Sequence, residues 1–133
     1  MDINQTVLIV EDETAFLQTM ETVFKANGFI VTTAQNGLDG LKKALAEHPS
    51  LVVLDLMMPI KDGWSMLEDL RKDEWGKSVP AIVLTSYEPD DDAVGRVMKE
   101  SPSFYLSKND TPLDDLVNKA KSILQQGSPT PQK

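Results

Sequence analysis

The chain has 133 residues, of which 41% are hydrophobic and 26% are charged, as expected for one soluble globular domain. It has no apolar run of membrane-spanning length and no signal-peptide pattern at the N-terminus, which predicts a cytoplasmic protein without membrane contact. The lack of cysteine excludes disulfides and thiolate sites, and the net charge of −8 disfavours direct nucleic-acid binding.

The hydrophobic pattern predicts five strands that alternate with five helices. The clearest strand signal is Leu51–Leu54, a short unbroken run of Leu and Val. Such a run is typical of a strand buried on both faces, as in a parallel sheet covered by helices. The other predicted strands are Thr6–Val10, Phe29–Ala34, Ala81–Leu84 and Phe104–Ser107.

Apolar residues at helical spacing predict a helix after each strand. We expect Thr14 to be the N-cap of the first helix and Gly28 to end it. Start signals for the other four helices are Asn36–Gly37, Asp62–Gly63, the three aspartates at 90–92, and Pro112. Helical connections imply right-handed crossovers between parallel strands. The predicted fold class is therefore α/β, a three-layer sandwich.

Polar side chains follow four of the predicted strands. In chain order they are Glu11 with Asp12, Asp55, Thr85 and Lys108. We expect them to converge, because the carboxyl ends of parallel strands share one edge of the sheet. Three carboxylates held together repel one another unless a cation favours their charged forms, and all-oxygen ligands suit Mg²⁺. The sequence therefore predicts a phosphate site that uses magnesium.

Residue chemistry suggests a role for each member of this set. Asp55 stands alone at the end of the central buried strand and is the best candidate for a nucleophile that forms an acyl phosphate. A lysine ammonium and a metal ion can neutralise phosphoryl oxygens during in-line transfer, and a threonine hydroxyl can hold one of them. Taken singly, each residue has an ordinary explanation as a turn, cap or surface charge. Only their combination indicates this chemistry.

The combination resembles the receiver domain of bacterial two-component response regulators. The residues that match are Glu11–Asp12, Asp55, Met58–Pro59, Gly63, Thr85–Ser86 and Lys108. The resemblance extends from about Thr6 to Gln126, which predicts a receiver domain over residues 1–126 and a flexible tail or linker stub over 127–133. It implies a flavodoxin-like (βα)5 fold with a five-stranded parallel sheet in the order 2-1-3-4-5.

Function is implied by the same resemblance. Asp55 would accept a phosphoryl group from a histidine kinase or histidine phosphotransfer protein, with Lys108 as the phosphate partner. The chain would catalyse only its own phosphorylation and dephosphorylation, so we do not expect a conventional enzyme. The implied ligands of Mg²⁺ are Asp12, Asp55, the backbone carbonyl of Met57 and, mostly through water, Glu11.

The same resemblance implies that the receiver signals to its output through a conformational switch. Thr85 would move toward the phosphate and Tyr105 would turn into the vacated space, although Tyr105 is equally well explained as a fixed packing residue. The face of helix 4, strand 5 and helix 5 would then contact a downstream output protein or domain. A phosphorylation-dependent homodimer, a stand-alone receiver and the N-terminal piece of a longer regulator all remain open.

Three features depart from the family pattern. Asn109 replaces a proline that usually follows a cis peptide bond, so we predict a trans bond after Lys108. Ser101–Ser103 stands where Gly and Ala are common, so the entry to the last strand is expected to be reshaped. Met57 and Tyr87 occupy the two variable positions that flank the phosphate, where Met57 offers no polar group to position water and Tyr87 is bulky. We therefore predict slow loss of the phosphoryl group.

Three alternative functions are weighed against this one. A phosphohydrolase of the haloacid dehalogenase type needs a second acid two residues after the nucleophile, where this chain has Met57. A flavodoxin-like electron carrier needs a first loop that cradles phosphate, which Glu11–Glu13 would repel. A receiver-like module that acts only by contact would have no need of the intact set of acids and lysine.

Overall fold

The computed structural model describes residues 5–86 and 91–125. Five strands alternate with five helices along these residues. The strands are β1 (Thr6–Val10), β2 (Ile30–Ala34), β3 (Leu51–Leu54), β4 (Ala81–Thr85) and β5 (Phe104–Ser107). The helices are α1 (Thr14–Ala26), α2 (Gly37–Glu47), α3 (Gly63–Lys72), α4 (Asp91–Met98) and α5 (Leu113–Gln125). Across these two ranges, no helix has both the length and the apolar character needed to cross a membrane.

The strands form one parallel sheet in the order β2-β1-β3-β4-β5. The register pairs Leu54 with Val10 on one side and with Val83 on the other. The carboxyl ends of the three central strands therefore lie side by side. The predicted α/β class and the flavodoxin-like strand order are both confirmed.

Each face of the sheet carries its own hydrophobic core. Val52 and Leu54 of β3 belong to the core under α2, α3 and α4, whereas Leu51 and Val53 belong to the core under α1 and α5. All four side chains are buried, which explains why the strand is an unbroken apolar run. This arrangement is the predicted three-layer sandwich.

The ends of the elements differ from the predictions in a few places. Thr14 is the first helical residue of α1, and Glu13 before it occupies the N-cap position, so the predicted cap is wrong by one residue. Strand β2 begins at Ile30 instead of Phe29, and β4 continues to Thr85. Asp90, Gln126 and the predicted tail at 127–133 lie outside the described residues.

The peptide bond between Lys108 and Asn109 is trans, as predicted, since the structure has no cis bond within the described ranges. The entry to β5 is also unusual. Ser101 adopts a left-handed conformation with φ of 54°, which few residues other than glycine adopt readily. Its carbonyl oxygen accepts a hydrogen bond of 3.3 Å from Arg71, which lies on α3.

Arg71 ties together two loops at the amino ends of β4 and β5. Its guanidinium donates to the carbonyl oxygens of Val79 at 2.6 Å, Gly76 at 2.8 Å and Glu100 at 2.7 Å. Burial lowers the pKa of Arg71, but a guanidinium stays protonated in proteins. One half-buried cation therefore donates to four backbone carbonyl oxygens.

Replacing Arg71 with methionine should keep most of the apolar stem and remove every donor. We expect Arg71→Met to lower the free energy of unfolding by about 2 to 4 kcal/mol, because buried carbonyls lose their partners. Urea unfolding measures the change. The matched control is Lys72→Met, where the side chain is 78% exposed and the expected change is within about 0.5 kcal/mol. Equal effects of the two substitutions would contradict the role of Arg71.

Candidate functional site

The carboxyl edge of the sheet brings the predicted residues together. Glu11 follows β1, Asp55 follows β3, Thr85 ends β4 and Lys108 follows β5. The side chains of Glu11, Asp55 and Thr85 are buried, with 1%, 5% and 1% of their surfaces exposed. Backbone hydrogen bonds continue the ladders past the strands: Asp55 N donates to Val10 O at 3.1 Å, and Lys108 N donates to Thr85 O at 3.0 Å.

Both carboxylate oxygens of Asp55 accept hydrogen bonds. Oδ1 accepts from the backbone amides of Leu56 at 2.6 Å and Met57 at 3.3 Å. Oδ2 accepts from Lys108 Nζ at 3.0 Å. These donors hold the carboxylate in one orientation.

Lys108 is shared between two buried acids. Its Nζ lies 2.7 Å from Glu11 Oε1 as well as 3.0 Å from Asp55 Oδ2, and only 14% of the side chain is exposed. Burial alone would lower the pKa of Lys108, but the hydrogen bonds to Glu11 and Asp55 outweigh it and raise that pKa. Lys108 therefore carries its positive charge at neutral pH.

Glu11 is already bonded to the protein through both oxygens. Oε1 pairs with Lys108, and Oε2 accepts from the backbone amide of Glu13 at 3.0 Å. Burial raises the pKa of Glu11, and these two hydrogen bonds oppose that shift. The side chain thus pairs with Lys108 and with the backbone just before α1, and its contribution to metal binding through water stays a prediction.

Three carboxylates form a group that fits a hard cation. One oxygen from each of Glu11, Asp12 and Asp55 lies within 4.8 Å of the other two. Asp12 is exposed, so the group opens to solvent on its side. All-oxygen donors of this kind suit Mg²⁺, which keeps several waters and bridges carboxylates to phosphate. Coordination by the Met57 carbonyl stays a prediction, as do the individual ligand roles.

Comparisons with known proteins agree with this geometry. Residues 7–121 match the family model described as the response regulator receiver domain. The chain is 34% identical over 123 residues to the transcriptional activator protein IrlR of Burkholderia pseudomallei, covering 91% of this chain and 51% of that protein. It is 40% identical over 87 residues to the probable transcriptional regulator ycf27 of Cyanophora paradoxa, covering 65% and 35%.

The chain belongs to the response regulator receiver domain family. A solved structure supports the same assignment: the receiver domain of the Francisella response regulator 1452 is 27% identical, with a TM-score of 0.83. That match covers 94% of this chain and all of the other. This receiver domain spans 35% and 51% of the lengths of the two curated relatives named above.

The loop from β3 to α3 shapes the receiver site in a way that the sequence did not explain. Gly63 N donates to Leu56 O at 2.9 Å, and a Cβ at Gly63 would lie 2.1 Å from the carbonyl oxygen of Asp55. Only glycine allows α3 to approach the Asp55 backbone so closely. Within the loop, Ile60 has φ of 72° and is 78% exposed, which is a strained conformation for a β-branched residue.

The two predicted switch residues of the receiver occupy different surroundings. Thr85 is buried at the end of β4. Tyr105 is half-buried against the core under α2 to α4, and its hydroxyl oxygen is inaccessible to solvent. The movement of Tyr105 stays a prediction, with a fixed packing role as its alternative. Tyr87, predicted to flank the phosphate, lies outside the described residues.

Gly63→Ala should force the Asp55 backbone and α3 apart. We expect the free energy of unfolding to fall by about 3 kcal/mol, because the new methyl group would meet rigid backbone atoms. The matched control is Gly95→Ala in α4, where a Cβ would meet nothing within 4 Å. That substitution should raise stability by about 0.5 to 1 kcal/mol. Urea unfolding of both variants measures the two changes. If Gly63→Ala leaves the free energy of unfolding unchanged, the close approach of α3 to the Asp55 backbone does not require glycine at position 63.

Proposed function

We propose that this receiver domain accepts a phosphoryl group on Asp55 from a phosphohistidine donor in two-component signal transduction in the cytoplasm. The observation that carries the proposal is the buried Asp55 carboxylate held between backbone amides and the Lys108 ammonium. A surface aspartate would have no need of a dedicated cation and two amide donors. The donor is a histidine kinase or a histidine phosphotransfer protein.

The transfer is a substitution at phosphorus. An oxygen of Asp55 forms the new bond to phosphorus while the phosphorus–nitrogen bond of the donor breaks, and the imidazole nitrogen keeps the electron pair. Lys108 releases Asp55 Oδ2 and donates to a phosphoryl oxygen, where its charge stabilises the transition state. The Thr85 hydroxyl donates to another phosphoryl oxygen. Mg²⁺, when bound by the acidic group, neutralises charge between the carboxylates and the phosphoryl group.

The output of the receiver is a change of surface. Movement of Thr85 toward the phosphate frees space for Tyr105, which alters the face formed by α4, β5 and α5. An output protein or domain, or a second copy of the phosphorylated chain, recognises that face. The receiver catalyses only its own phosphorylation and dephosphorylation and has no separate substrate.

The primary test uses acetyl phosphate as a small phosphodonor and intact-mass spectrometry as the readout. We expect the wild type to gain one phosphoryl group with Mg²⁺ and to gain none with EDTA. Asp55→Asn should gain none under either condition, because the amide is not a nucleophile of this kind. Asp62→Asn is a suitable control, since Asp62 caps α3 and lies on the same loop. If the folded wild type gains no phosphoryl group, the proposal is contradicted, and the alternative of a receiver-like module that acts only by contact is favoured.

Loss of the phosphoryl group should be slow. Met57 is apolar and half-exposed two residues after Asp55, where a polar side chain could position an attacking water. The double variant Met57→Asn, Tyr87→Glu should therefore shorten the half-life of the phosphorylated protein, measured by the decay of its mass peak. Met98→Asn, at another half-exposed methionine on α4, should leave the half-life unchanged. An unchanged half-life in the double variant would contradict the prediction.

A further inference from the structure

The ring of Phe16 lies over the ammonium of Lys108. The distance from Lys108 Nζ to the ring centroid is 4.8 Å. Phe16 belongs to the first turn of α1, which begins at Thr14, and it also packs against the core under α1 and α5. The contact joins a helix to the residue that follows the last strand of the sheet.

The ammonium is thus held from three directions. Two of its donors are directed to Glu11 Oε1 at 2.7 Å and Asp55 Oδ2 at 3.0 Å, and the aromatic ring provides the third neighbour. The face of an aromatic ring is negative, so it attracts a cation without competing for a proton. Only 14% of the Lys108 side chain is exposed, and a cation–π contact is stronger where water is excluded.

We propose that Phe16 is a positioning residue for Lys108 in phosphoryl transfer. This inference rests on the proposed function. Lysine is a point charge on a flexible stem, so its ammonium needs neighbours to stay in one place. When Lys108 releases Asp55 Oδ2 for a phosphoryl oxygen, Glu11 alone would draw the ammonium away from the reaction. The ring of Phe16 keeps the charge beside Asp55 without neutralising it.

The negative electrostatic potential on the face of the Phe16 ring can be weakened while the shape of the side chain stays nearly constant. Phe16 is replaced in the full chain by phenylalanines that carry one, two or three ring fluorines, each of which weakens the negative face. We expect the rate of phosphorylation by acetyl phosphate at saturating Mg²⁺ to fall stepwise, by about three- to tenfold across the series. Phe16→Leu should show a similar loss, and Phe16→Tyr, which keeps the ring, should retain most of the rate.

Phe24 provides the matched control. It lies on the same helix, is fully buried in the same core and contacts Phe29 at a centroid distance of 5.4 Å. The same fluorines at Phe24 should leave the rate unchanged. A rate that stays constant across the Phe16 series would overturn the proposal and leave Phe16 as a packing residue. Equal losses at Phe16 and Phe24 would overturn it too.

A second measurement tests the contact without phosphorylation. The ring should shift the proton signals of the Lys108 methylene next to Nζ, and Phe16→Leu should abolish that shift in the nuclear magnetic resonance spectrum. Signals that are the same in both proteins would contradict the proposal. A wild type that shows the shift but gains no phosphoryl group would count against the proposed function, and would limit Phe16 to orienting Lys108.

Discussion

The interaction on which the site depends is the shared hydrogen bonding of Lys108 to Glu11 and Asp55. Two buried carboxylates at neighbouring strand ends would repel each other, and burial raises the pKa of Glu11. The ammonium of Lys108 between them opposes both effects. It also links the residues that directly follow β1, β3 and β5 at the carboxyl edge of the sheet.

The rest of the fold supports this cation and the aspartate beside it. The parallel register sets the ends of β1 and β3 side by side, so Glu11 and Asp55 emerge as neighbours. Gly63 lets α3 press against the Asp55 backbone, and the amides of Leu56 and Met57 then orient its carboxylate. Packing on both faces of β3 leaves this strand little room to shift. Asp55 therefore follows a strand that is held on both faces.

Much of the sheet and of the site at its carboxyl edge could be predicted from the sequence, because an unbroken apolar run indicates a strand that is buried on both faces. The run Leu51–Leu54 indicated a central parallel strand, and parallel strands necessarily gather the residues that follow them at one edge. The strand order required the family resemblance, since local patterns do not specify which strands are neighbours.

Other features carried no local signal. Arg71 binds backbone carbonyls, which every residue possesses, so its partners cannot be read from side chains. Phe16 has the spacing of an ordinary core position, and its contact with Lys108 depends on tertiary structure that brings the first turn of α1 close to the residue after β5. The N-cap of α1 was misplaced by one residue because Glu13 takes the cap position without a side-chain hydrogen bond, so the usual Ser, Thr, Asp or Asn signal is absent there.

The position of Arg71 has a mechanical consequence. The carbonyl groups that it binds all precede β4 or β5, so it anchors the amino ends of the two strands whose carboxyl ends carry Thr85 and Lys108. The two strands are therefore joined at their amino ends through one side chain of α3, in addition to the ladder hydrogen bonds that pair them along their length.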